Sequence, residues 1–310
     1  MRKVGIGIIV LVLCGIIVAN FYYIPIQKYY SIHNSLLNTV NAFSDPIVWK
    51  KWYKGSIHDK DSASKNNFFF IKTKDGSLEI KNKGGFFFTV TDNQGNQRRY
   101  YDCVFPPSVK NDSCGMMVIY KESLLKKIFP FLSNANSFEN QVPYFKVYME
   151  DNLQYYGFLI NIGQVEDSTL LFIQEKIPSK NYLTQLNHFH FQLDSFIRAK
   201  NLKITQPPIA HFAVPANDSI NIMTGISVNN NNVTDNTLIK KANMPVGGRM
   251  IIGVYRGLFC ERTQLYKALY SYMQDHNLRQ AAPEYEKYMD NKLPAIDSSQ
   301  IAIKLCIPVY

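Results

Sequence analysis

The chain has 310 residues at 35.7 kDa, too long for one ordinary domain and sufficient for two. Its 46% hydrophobic and 19% charged residues exclude a wholly disordered or collagen-like polymer. Lysine and arginine exceed aspartate and glutamate by 34 − 24 = +10, which permits an anionic partner without demanding one.

Met1-Arg2-Lys3 is followed by an uncharged run from Val4 to Ala19, then Asn20 and Phe21-Tyr22-Tyr23-Ile24-Pro25-Ile26. At ~1.5 Å per residue, Val4 to Ile26 is long enough to cross a bilayer, which predicts a transmembrane anchor over residues 1–26. Tyr22-Tyr23 sits where an interfacial aromatic belt would lie, and no A-x-A-like cleavage site follows. Leu13 before Cys14 argues against a lipid-attachment motif. Arg2 and Lys3 against Lys28 put the N-terminus in the cytoplasm, so the expectation is a single-pass membrane protein with an extracytoplasmic soluble part. No second uncharged run of that length occurs, which excludes a polytopic protein. Cys103, Cys114, Cys260 and Cys306 form no C-x-x-C or Cys/His group; no metal site and no cofactor are expected.

Residues 27–164 form the second segment. Ser35 to Phe43 has an amphipathic helical pattern and ends at Ser44-Asp45-Pro46, before Val48-Trp49-Lys50-Lys51-Trp52. Strands are predicted at Phe68 to Lys72, Ser77 to Lys81, Gly85 to Asp92, Arg98 to Phe105 and Met116 to Tyr120, with a helix near Pro143 to Tyr155. A curved antiparallel meander with helices packed on it is the expected architecture.

Residues 165–310 carry one pattern twice. The first unit has a strand at Leu170 to Lys176, a helix at Lys180 to Asn201, and strands at Ile209 to Val214 and Ser219 to Val228. A polar linker, Asn229 to Asn236, leads to a strand at Gly248 to Tyr255, a helix at Glu261 to His276, and strands at Tyr285 to Tyr288 and Gln300 to Ile307. Two strand-helix-strand-strand units are an internal duplication, and each needs the other to cover its apolar face. The fold class is therefore α+β.

The second unit opens with Tyr255-Arg256-Gly257-Leu258-Phe259, continues through Pro283-Glu284-Tyr285-Glu286-Lys287-Tyr288, and closes on Ile307-Pro308-Val309. In that order these motifs resemble the GyrI-like family, also called the AraC-type or bacterial transcription activator effector-binding domain. Pro207-Pro208-Ile209-Ala210-His211-Phe212 looks like the first repeat's counterpart. The resemblance implies a pocket between the repeats for an amphipathic or cationic small molecule, with a buried glutamate as anchor. Glu286 matches that glutamate, and Tyr288, Tyr255, Phe259 and His211 are the accompanying ligand-binding candidates. Residues 27–164 resemble, in degenerate form, the SRPBCC or START-like helix-grip domains, through the first helix, Asp45-Pro46 and Trp49-Lys50-Lys51-Trp52.

On the residues alone, Glu286 could equally be an exposed strand carboxylate paired with Lys287 or Lys304, and Tyr255, Phe259 and Tyr288 could be core aromatics. His188 and His190, two apart on a helix, diverge and cannot share a metal. Arg98-Arg99 and Lys126-Lys127 are isolated pairs rather than a basic stripe, and no helix-turn-helix precedes the C-terminal domain, so direct nucleic-acid binding is not expected. No G-x-S-x-G, Gly-rich phosphate loop or H-E-x-x-H occurs. The expectation is a membrane-anchored effector-binding protein. The alternatives are a hydrolase of small electrophiles, with Glu286 as general base and Tyr288 as donor, and a scaffold that binds no ligand.

Overall fold

The computed structural model describes residues 14–54, 64–65, 68–74, 76–95, 97–108, 113–129, 137–166, 169–213, 218–229 and 237–310. Residues 1–13 of the expected anchor and 230–236 of the expected linker lie outside them. The fold is mixed α+β with two antiparallel sheets, in units spanning Met1–Asp151 and Asn152–Tyr310.

The expected membrane anchor is corrected. Residues 14–21 are helical (α1), but β1 (Tyr23–Ile32) begins two residues later, so Tyr23 to Ile26 belong to a sheet. Among the described residues no helix is long and apolar enough to cross a membrane, and single-pass localisation does not stand. Side chains along β1 alternate between exposed and half-buried, the period of a strand with one covered face. Pro25 is tolerated because β1 is the edge strand of its sheet.

In the first unit, β1 is joined by β2 (Ser64–Lys65), β3 (Phe68–Thr73), β4 (Gly76–Gly84), β5 (Phe87–Gln94), β6 (Gln97–Val104) and β7 (Cys114–Ser123). They pair antiparallel in the order β1-β7-β6-β5-β4-β3-β2. Between β4 and β5 the chain turns through Gly84 and Gly85, at φ 114° and 59°, a conformation that a Cβ disfavours. Helices α2 (Leu36–Ser44), α3 (Pro46–Trp52) and α5 (Phe138–Glu150) contribute to its core, and a short α4 (Leu124–Ile128) follows β7. Ser35 caps α2 by accepting from the Asn38 N–H, and Asp45 caps α3 by accepting from Ile47. The core is aromatic: the Phe43 ring lies 4.9 Å from Trp49, 5.2 Å from both Phe88 and Phe105, and 5.4 Å from Phe145.

The second unit holds α6 (Asn152–Tyr156), β8 (Ile160–Gln164), β9 (Thr169–Pro178), α7 (Tyr182–Ala199), β10 (Ile209–Phe212), β11 (Ser219–Val228), β12 (Lys240–Asn243), β13 (Arg249–Leu258), α8 (Thr263–Asp275), β14 (Tyr285–Tyr288) and β15 (Gln300–Pro308). The strands pair in the order β12-β9-β11-β10-β14-β15-β13-β8. Because β8 belongs to this sheet, the second unit begins earlier than the boundary at 164/165 drawn from the sequence.

Strand-helix-strand-strand recurs as β9-α7-β10-β11 and β13-α8-β14-β15, with β10 and β14 paired at the centre. The repetition extends to single hydrogen bonds. After α7, Asn201 adopts φ 50° and the Leu202 N–H donates to Ile197; after α8, Asn277 adopts φ 52° and Leu278 donates to Met273. Both asparagines follow the helix end, where a left-handed residue closes the last turn. The leucines of α7 and α8 share one core with β9, β11, β13 and β15, so both helices cover the same sheet face.

Gly253 on β13 lets α8 come close: a Cβ there would lie 2.4 Å from Leu269 Cδ1 and 2.6 Å from Leu265 Cδ1, both in side chains that are fully buried. Gly253→Ala should therefore lower the unfolding free energy by about 1–2 kcal/mol through overpacking. Urea denaturation checks this; an unchanged midpoint would mean that the two leucines repack without strain.

Candidate functional site

Glu286 occupies the middle of β14, where its cross-strand neighbours are Ala210 on β10 and Leu305 on β15. Both neighbours lie in the core beneath the helices, so the carboxylate points into that core, and it is 0% exposed. An isolated carboxylate in such surroundings is prohibitively expensive unless it is paired and hydrogen-bonded.

This chain supplies the compensation. Arg262 Nε donates to Oε1 at 2.6 Å, the Tyr266 hydroxyl donates to the same oxygen at 2.7 Å, and the Tyr288 hydroxyl donates to Oε2. Arg262 ends the 3-10 turn Phe259–Arg262, and Tyr266 stands one helical turn further on α8, so the two project from the same side. Tyr288 reaches Glu286 because residues two apart on a strand share a face.

The Arg262 guanidinium is held a second time. Its carbon lies 3.4 Å from the Phe259 ring centroid and 5.1 Å from that of Phe212, and Nη1 donates to the Phe259 carbonyl at 2.9 Å. Phe212 and Phe259 are 5.9 Å apart, and Tyr182 packs on Phe212 at the same distance. The result is a cation seated among aromatic faces, a geometry worth up to ~2 kcal/mol when desolvated. The Arg262 side chain retains 12% exposure and forms the outer edge of the cluster.

Electrostatics follow from burial and the shared charge. Burial, then the Glu286 carboxylate, raises the pKa of both Tyr266 and Tyr288 well above the ordinary phenol value, so both hydroxyls stay protonated and donate to the carboxylate. Burial alone would lower Arg262, but Glu286 outweighs it and the guanidinium stays charged.

The polar set belongs to one repeat. Counting back from the matched helix ends and along the matched strands, Leu186, His190, Ala210 and Phe212 hold the places of Arg262, Tyr266, Glu286 and Tyr288. Leu186 and Ala210 are fully buried. His190 is half-buried, its Nδ1 has no hydrogen-bond partner among the described residues, and burial lowers its pKa.

The residues expected from the sequence are brought together in part. Glu286 and Tyr288 touch, and Phe259 contributes through Arg262. Tyr255 lies in the same core, but its hydroxyl donates to the Leu258 carbonyl at 2.8 Å. His211 is displaced from the cluster: since Ala210 faces the same way as Glu286, its neighbour His211 faces the other side, where Nδ1 meets the Glu284 carbonyl at 2.7 Å. Phe212 is the β10 residue that faces the site. Arg262 and Tyr266 were not anticipated; a spacing of four puts them on one side of the helix, but nothing in that spacing alone singles them out from other polar residues beside the Leu265 and Leu269 stripe.

Among the described residues no group of histidine, cysteine, aspartate or glutamate side chains could hold a metal ion. No family model matches the chain and no curated protein matches it. Among solved structures, the C-terminal domain of EcmrR is similar over 49% of this chain and 98% of its own, at 14% identity and a TM-score of 0.41. SAV2435, solved bound to tetraphenylphosphonium, is similar over 49% of this chain and 94% of its own, at 13% identity and a TM-score of 0.32. A START superfamily protein from Mycobacterium smegmatis is similar over 41% of this chain and 97% of its own, at 13% identity and a TM-score of 0.31.

Proposed function

We propose that the chain is an effector-binding protein of GyrI-like type, whose C-terminal domain takes an amphipathic or cationic small molecule against Glu286. A degenerate START-like domain over residues 27–164 would precede it. One observation carries the proposal: a carboxylate without exposed surface anchors a cation between aromatic rings, and that cation belongs to the protein itself. Arg262 is flat, delocalised and weakly hydrated, the properties that suit a guest in an aromatic cage. A ligand cation would replace the guanidinium, with Arg262 swinging outward from its 3-10 turn.

Two alternatives fare differently. A scaffold is favoured by the fact that three donors of this chain already satisfy Glu286. A hydrolase using Glu286 as general base gains nothing comparable, since Oε1 already holds two donors and Oε2 one.

Tetraphenylphosphonium, a lipophilic cation, and neutral and anionic compounds of similar size separate binder from scaffold by thermal shift and calorimetry. At 100 times its dissociation constant a bound ligand adds about 2.7 kcal/mol of stability, an easily read rise in Tm. The rise should be confined to the cation and absent in Glu286→Gln. A shift of equal size in both proteins, or none with any cation, would leave the scaffold standing.

A further inference from the structure

Strands β6 and β7 pair only through Tyr101–Val104 and Met117–Tyr120. Beyond Tyr120, β7 continues along β1 to Ser123, and beyond Tyr101, β6 continues along β5 to Gln97. The sheet therefore splits. The residues that continued pairing would have set opposite one another, Tyr100 and Lys121, Arg99 and Glu122, Arg98 and Ser123, all line a cleft of about 820 Å³. The facing edges of a split sheet also present backbone N–H groups that no ladder uses.

The charges in the cleft are unbalanced. Arg98, Arg99, Lys121 and Lys126 meet two carboxylates, Asp102 and Glu122. Asp102 is engaged elsewhere, by Lys83 at 3.4 Å and by the Thr89 hydroxyl at 3.2 Å. Arg99 is bound to the buried Glu139 at 3.2 Å, and Arg98 lies 3.9 Å from Glu79. The ammonium groups of Lys121 and Lys126 have no ion pair among the described residues. Burial, then the like charge of Arg99, lowers the Lys126 pKa, and outweighs Glu122 and Glu139, which act the other way. Tyr23, Ile119 and Tyr100 add apolar surface beside these cations.

We propose that this split in the first sheet is a second binding site, for a small organic anion: a phosphate or carboxylate on an apolar body, with Lys121 and Lys126 as its counter-charges. It is independent of Glu286, which lies in the other unit.

The test is calorimetric titration of the full chain with phenyl phosphate and with decanoate, using inorganic phosphate and phenyltrimethylammonium as controls. Either organic anion should bind, more tightly than inorganic phosphate, while the cation should not. Lys121→Glu with Lys126→Glu should weaken binding by about tenfold or more, whereas Lys180→Glu with Lys267→Glu, two exposed lysines of the other unit with the same change in net charge, should leave it intact. Lys121→Gln with Lys126→Gln, read alongside circular dichroism, guards against misfolding of the charge-reversed chain. Failure of both organic anions to bind overturns the proposal, as does equal loss in the two lysine pairs. Inorganic phosphate binding as tightly as phenyl phosphate would also overturn it, because the apolar surface would then contribute nothing.

Discussion

Arg262→Met should lower the unfolding free energy by about 3–5 kcal/mol, because it leaves the Glu286 carboxylate buried without a counter-charge. The two tyrosine donors would remain, so the carboxylate keeps hydrogen bonds but loses its only direct ion pair among the described residues. Glu286→Gln should be milder. The amide oxygen still accepts from one phenol and its NH2 can donate to the other, and Arg262, at 12% exposure, can turn to water. The double variant separates the pair from its parts: if the two residues act as one unit, it should be no less stable than Arg262→Met alone, giving a coupling energy of several kcal/mol in the cycle. Ligand response runs in the opposite direction. With its resident guanidinium gone, Arg262→Met should recover more Tm with tetraphenylphosphonium than wild type does, since the guest no longer competes with an internal cation. Denaturant unfolding with and without the cation reads both effects. Strictly additive losses, with no larger cation response in Arg262→Met, would identify the cluster as ordinary packing.

The sequence revealed this site unevenly, for physical reasons. Glu286 and Tyr288 were legible because a period of two places them together on any strand. Arg262 was not, because the helical stripe of Leu265, Ala268 and Leu269 marks what α8 buries against the sheet and is silent about a side chain on the turn before it. His211 was misplaced by one residue. Which side chain of β10 faces Glu286 depends on the pairing of Ala210 with Glu286, and a shift of one residue exchanges the faces. The duplication was legible as element order, and the matched asparagines after α7 and α8 add a local conformational signature to it.

Strands were lost where their partners are remote or their composition points elsewhere. β8 is joined to its sheet only by β13, which lies far along the chain, so no hairpin turn announces it. β1 follows directly on an apolar run, and its tyrosines carry the composition of a membrane interface as well as of a strand. A transmembrane helix has no reason to expose every second residue, and β1 does so from Tyr23 to Ser31.

The first unit should lose stability as pH rises from about 4 to 6, and Asp92 is the cause. The residue is 3% exposed; Oδ2 accepts from the Phe138 N–H at 3.1 Å and from Gln94 at 3.3 Å, while Oδ1 has no hydrogen-bond partner among the described residues. Burial raises its pKa from 3.8 to about 6, opposed first by the Phe138 N–H at the start of α5; Glu139 adds to the rise, and Arg99 and Gln94 counter it. Protonation is thus held more tightly in the folded chain than in the unfolded one. The resulting stabilisation is complete below the unfolded value near 3.8 and lost as pH passes through about 6. Above that, the native state carries a buried, half-satisfied carboxylate at a cost of up to about 2–3 kcal/mol. Asp92→Asn keeps an acceptor for Phe138 and removes the charge. It should match wild type near pH 4 and exceed it by about 2 kcal/mol at pH 7.5, so the difference between the two unfolding curves should grow across that interval. A constant difference would show that Asp92 ionises alike in folded and unfolded chains, and would shift attention to the Arg99–Glu139–Tyr101 cluster beside it.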